Sequence, residues 1–164
     1  MSLRWNKKDI PHKGWFLVDV IDVRGNGESI SETTYEKCMM CSNEKIRYVH
    51  IVSHPDFSGN LNVGCICAEK MTNDYITPKA LEKKLRNKTQ RRNNWLKKNW
   101  QISSKGNTYL KFKDNLITII RDSKTNKYKC CVNNVWGKKL FTTIDAAKIA
   151  TFNGLEYLKN KDSK

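Results

Sequence analysis

Four cysteines in the first half of the chain are spaced for metal chemistry: Cys38-Met39-Met40-Cys41 and, 23 residues further on, Cys65-Ile66-Cys67. Two thiolates flanking a tight turn converge on one ion, and a second pair beyond a hairpin completes the tetrahedron that zinc takes. Positions i and i+2 of an extended backbone share a face, so Cys65 and Cys67 are expected to converge as well. Four thiolates leave no position for water, which makes the expected Zn²⁺ structural rather than catalytic. The alternative is four buried thiols without a metal. His50 and His54 lie between the pairs. On a strand rising about 3.3 Å per residue, His50 stands roughly 16 Å from the knuckle. An imidazole nitrogen must come to about 2.1 Å from zinc, so Cys65 is the expected fourth ligand.

The second signal is charge. The 164 residues carry a net charge of +15, from 31 Lys+Arg and 16 Asp+Glu. Residues 1–74 are almost neutral, with 9 basic and 10 acidic side chains, whereas residues 75–101 hold 9 against 1 and residues 102–164 hold 13 against 5. A field of one sign confined to one part of a chain draws polyanions by counterion release, and nucleic acid leads that class. An anionic membrane surface and a ribosomal-RNA adaptor are the lesser alternatives. Of the basic residues 24 are Lys, which suits contacts to phosphate more than bidentate reading of bases. No apolar run reaches the roughly 20 residues of a transmembrane helix, and nothing at the start of the sequence resembles a secretory signal. A cytoplasmic protein with reduced thiols is expected.

These signals need elements to position them. The predicted class is α+β. Residues 1–14 read as a polar arm, and residues 15–74 as the zinc module. Within it Trp15 to Val23, Lys45 to Ser53 and Leu61 to Ile66 read as strands, and Ala68 to Met71 as a short helix. Residues 75–101 form a long basic linker helix, opened by a Thr77 cap with Pro78 in the first turn. Its apolar positions are sparse, so it is expected to dock at its ends and stay open in the middle. Residues 102–158 alternate with period two, in three or four short strands, and end in a helix announced by Thr142-x-x-Asp145. The expected unit is a three-stranded antiparallel sheet packed on one helix. Residues 159–164 read as a disordered tail. The adjacent Cys130 and Cys131 should point to opposite faces of a strand and pack without chelating.

The knuckle, hairpin and helix order resembles treble-clef zinc modules. Val63-Gly64-Cys65-Ile66-Cys67-Ala68 is also similar to an element of basic, uncharacterised bacterial and phage proteins. The C-terminal part, through Phe141 and Thr143-x-Asp145-x-Ala147-x-x-Ala150, resembles the Apetala-type DNA-binding domain. That resemblance implies a sheet face lying in the major groove, with Lys111, Lys113, Arg121, Lys127 and Lys129 as its basic contacts. Its Arg- and Trp-rich strands are Lys- and Ile-rich here, and Lys148 occupies a usually small helix position. The same order of elements also fits a truncated double-stranded-RNA-binding unit.

The expected function is therefore zinc-stabilised nucleic-acid binding, DNA before RNA. Arg86, Lys88, Arg91, Arg92, Lys97 and Lys98 of the helix and the five sheet residues would grip phosphate. The near-neutral zinc module would serve as scaffold or as a surface for a protein partner. The rival is an HNH-type endonuclease, a family that this region resembles in placing His50, His54, Asp56 and Asn62 between cysteine pairs. Against it, the short helix offers only Glu69 as a metal-binding side chain, and no acid–His dipeptide precedes the site.

Overall fold

The computed structural model describes residues 4–25 and 28–162. The protein is α+β, with two antiparallel sheets and three α-helices among the described residues. It divides into two compact units, Met1–Thr89 and Gln90–Lys164. The division falls inside the basic helix that the sequence sets apart as a linker. Among the described residues, no helix is long and apolar enough to cross a membrane.

In the first unit β1 (Phe16–Asp22), β2 (Tyr48–His54) and β3 (Phe57–Val63) pair in chain order. Pro55 and Asp56 close the β2–β3 hairpin. Val49, Val52, Leu61 and Val63 turn inward, and α1 (Cys65–Thr72) adds Ala68 and Met71 to the same core. Fully burying an aliphatic side chain of this size stabilises by about 1.5–3 kcal/mol. Residues 4–14 of the expected polar arm are docked: Ile10 is buried, Trp5 packs on the core, and the Arg4 amide donates to Met40 O at 3.1 Å. Two apolar side chains in a polar stretch suffice to dock it.

Helix α2 (Thr77–Leu96) is capped by an acid rather than by Thr77. Asp74 Oδ1 accepts the Ile76 and Thr77 amides, each at 2.9 Å, and a carboxylate suits the positive end of a helix. Glu69 of α1 pairs with Lys79 at 2.9 Å and fixes the first turn of α2 against α1.

The second unit is a meander of five strands, not three: β4 (Gln101–Ile102), β5 (Thr108–Phe112), β6 (Asn115–Arg121), β7 (Tyr128–Val132) and β8 (Val135–Trp136). The extra pair are two-residue edges. Asn133 and Asn134, both with positive φ (48° and 65°), form the tight turn into β8. The expected Gly137 to Phe141 strand shrinks to one bridge between Tyr128 and Phe141. Helix α3 (Ile144–Asp162) is capped by Thr143, whose Oγ1 accepts the Ala146 amide at 3.2 Å. The helix runs through most of the expected tail, and residues 163–164 lie outside the described residues. Ala147, Phe152 and Leu155 of α3 share cores with sheet residues Leu110, Ile117, Ile119, Cys130 and Val132. Trp95 belongs to the same core, donating its indole N–H to Lys148 O at 3.0 Å.

Asp22 holds the first unit at the β1–β2 edge. Its carboxylate accepts Nε and Nη2 of Arg47, both at 2.9 Å, and Thr89 Oγ1 at 3.2 Å. Burial pushes its pKa up, but the Arg47 hydrogen bonds and charge and the Arg24 amide outweigh that and hold it below the usual 3.8. A carboxylate with a depressed pKa contributes stability above its unfolded pKa and gives it up as pH falls through the folded value. Asp22→Asn is therefore expected to lower urea-unfolding stability by about 1–3 kcal/mol near neutral pH. The gap to the parent protein should close as pH drops below about 4. An equal gap at all pH values would show that the charge of Asp22 is irrelevant.

Candidate metal centre

The knuckle is built by backbone hydrogen bonds. The Cys38 amide donates to Asn43 O at 2.7 Å, and the Ser42 amide returns to Cys38 O at 2.9 Å. Ser42 takes a left-handed φ of 63°, which lets the chain reverse directly after Cys41. The Met39 amide donates to Asn62 O at 2.9 Å, tying the knuckle to β3. Beyond β3, Gly64 lets the chain pass close by: a Cβ there would lie 3.3 Å from Ile46 Cδ1. Helix α1 then begins at once with Cys65.

That early helix start decides the ligand set. Residues two apart on an α-helix are separated by about 200° around its axis, so they face opposite ways. Cys67 turns to the knuckle, and the sulfurs of Cys38, Cys41 and Cys67 lie within 4.8 Å of one another. Cys65 turns elsewhere. Its thiol lies within 4.8 Å of a His50 ring nitrogen and a Glu82 carboxylate oxygen. The expectation that Cys65 completes the cysteine set assumes a strand at positions 65–67, and the structure has a helix there. His50 groups with Cys65 and Glu82 rather than with the three sulfurs.

The electrostatics of the three-sulfur group favour an ionised sulfur at Cys38. The Cys67 thiol hydrogen-bonds to Cys38, and the amides of Cys41, Gly64 and Met40 point at the same sulfur. These bring Cys38 down to about 4 against the opposing effect of burial. The Gly64 amide is 3.5 Å from Cys38 Sγ. Cys67, as the proton donor of the pair and a buried thiol, is pushed up. The two sulfurs thus share a proton that a divalent ion would replace. Three soft donors in this arrangement can bind a metal ion, with a fourth position left for another ligand. No protein-family model, no curated protein and no solved structure matches the chain.

The other histidine, His54, is occupied in its turn, with Nδ1 accepting the Asp56 amide at 3.0 Å and its ring against Trp15. Asn62 is engaged with Met39. Cys130 donates to Ala147 O on the α3 side of the sheet, while Cys131 pairs across the strands with Thr118 and Trp136 on the other face.

The basic residues separate into groups. Arg86 is ion-paired with Glu82 and lies 5.1 Å from the centre of the Tyr48 ring. Arg91 pairs with Glu156 at 3.2 Å, and Lys98 sits 4.3 Å over Phe112. Lys88 and Lys97 are exposed, and Arg92 is half-buried. In the sheet, register puts Lys111 and Lys129 on the face turned away from α3. Lys127 shares their parity just before β7, but Arg121 pairs with Tyr128 on the α3 side. Lys113 occupies a left-handed turn position, φ 54°. Glu82 escapes sequence reasoning because its partners are 32 and 17 residues away. Its one signal is to be the single acid in a run of cations.

Cys67→Ser is expected to cost the folded protein one metal equivalent by elemental analysis and to lower its melting temperature. Cys130→Ser should leave the metal content unchanged. Equal metal content in both variants would dissolve the three-sulfur site.

Proposed function

We propose that the chain is a zinc-stabilised nucleic-acid-binding protein whose C-terminal unit grips the phosphate backbone, with duplex DNA its preferred partner. One observation carries the reading: none of the strands β4 to β8 contains an Asp or Glu. Residues 90–164 hold 17 Lys+Arg and 5 acids, and those acids lie in turns (Asp114, Asp122) or on α3 (Asp145, Glu156, Asp162). The sheet face away from α3 offers Lys111 and Lys129 beside Tyr109, Ile120 and the half-exposed Trp136. Cations interleaved with rings and apolar groups, with no carboxylate among them, fit a phosphate-lined groove. The wide major groove of B-DNA admits strands, whereas that of A-form RNA is too narrow for side chains to read. That difference favours DNA.

Zinc is the ion that three thiolates of this spacing suit, and in this reading its role is to hold the knuckle to α1. The order of sheet and helix supports the likeness to the Apetala-type domain, and the five-stranded meander is this chain's departure from it.

If about six phosphates are neutralised, log K against log salt should have a slope near −5 on duplex DNA. The double variant Lys111→Glu, Lys129→Glu should weaken binding for all sequences and make the slope shallower by about 2. Lys161→Glu, at the end of α3, should change little. A slope near zero for the parent protein, or equal losses in both variants, would remove the sheet face as the contact.

A further inference from the structure

We propose that His50, Cys65 and Glu82 form a second metal site, separate from the three-sulfur group, which takes zinc or a similar transition-metal ion. The three donors come from β2, α1 and α2, yet their ligand atoms gather within 4.8 Å. Thiolate, imidazole and carboxylate together suit zinc-like ions and not the all-oxygen preference of magnesium or calcium.

His50 supplies the second observation. It is fully buried, and its Nδ1 has no hydrogen-bond partner among the described residues. Its Nε2 lies 3.2 Å from Pro78 O and 3.8 Å from Glu82 Oε2. Nε2 is thus the ring nitrogen that faces Glu82, while the buried Nδ1 stays without a partner. Glu82 is steadied by its ion pair with Arg86 one turn along α2.

Three protein ligands leave one position of a tetrahedron open. Cys65 and Glu82 both line a cavity of about 810 Å³ that is also bordered by Arg47, Lys70 and Arg86. The open position would therefore meet water or an anionic oxygen ligand. This site stands independently of the nucleic-acid reading, because its donors lie in the first unit.

The test is the metal content of the full-length protein after reconstitution with Zn²⁺ and, in parallel, with Co²⁺. The parent chain should bind two equivalents, and Cys65→Ser or Glu82→Gln should each bind one. In both variants the retained Co²⁺ should show the strong charge-transfer band of several thiolates. Cys67→Ser should retain the other ion, with the weaker band of a single thiolate. Glu82→Gln preserves size and helix propensity, so its circular dichroism should match the parent. A parent chain that binds one equivalent overturns the proposal, whether or not Cys65→Ser removes that ion. If Cys65→Ser does remove it, Cys65 belongs to the cysteine set.

Discussion

The contact between Cys38 and Cys67 organises the first unit. Three separate stretches meet there: a knuckle stiffened by its own backbone hydrogen bonds, the end of β3, and the first turn of α1. The sulfur of Cys38 already receives backbone amides, so the site is prepared for negative charge before any ion arrives. An ion replacing the shared proton would tie these stretches more tightly than the apolar core alone. Metal affinity and folding free energy would then be one quantity.

The same helix start that brings Cys67 to the knuckle sends Cys65 to the opposite side. There it meets His50 and the opening turns of α2. Those turns carry few apolar groups, yet they are firmly placed. Pro78 gives its carbonyl to His50, Lys79 reaches Glu69, and Glu82 faces His50. Glu82 lies four residues after Pro78 and three after Lys79, the spacings that bring side chains together on one helix face. A helix with no apolar stripe is thus docked through polar contacts, which hydrophobic periodicity does not register.

That contrast marks what the residues disclosed in advance. The three strands of the first unit, the long helix from Thr77, the sheet-then-helix order and the opposed directions of Cys130 and Cys131 all follow from local pattern. Three of the four expected metal ligands are brought together. The fourth fails because Cys-x-Cys converges only on an extended backbone, and the placement of a helix boundary within one or two residues is weakly encoded. The two-residue strands β4 and β8 are too short to show alternation. The His50–Cys65–Glu82 group has no motif, since its members are brought together only by tertiary folding. Burial of Ile10 beneath a polar-looking start was likewise invisible to composition.

In the second unit the cations rest on rings more than on carboxylates. Lys129 lies over Trp136, Arg121 over Tyr128, Lys98 over Phe112, Lys139 over Phe141 and Lys148 over Trp100. Ion pairs in this unit join Arg91 to Glu156 and Lys148 to Asp145. The difference matters for binding. A carboxylate partner neutralises a lysine and must be displaced before phosphate can take its place. A ring face steadies the same cation by about 0.5–1 kcal/mol and leaves its charge uncancelled. Like charges left uncancelled repel one another, and that repulsion is relieved when a polyanion arrives. A sheet selected for stability alone would gain from cross-strand pairs of opposite charge, each contributing roughly 0.2–1 kcal/mol. Their complete absence from β4 to β8 is the physical ground for treating this face as a surface awaiting an anionic partner.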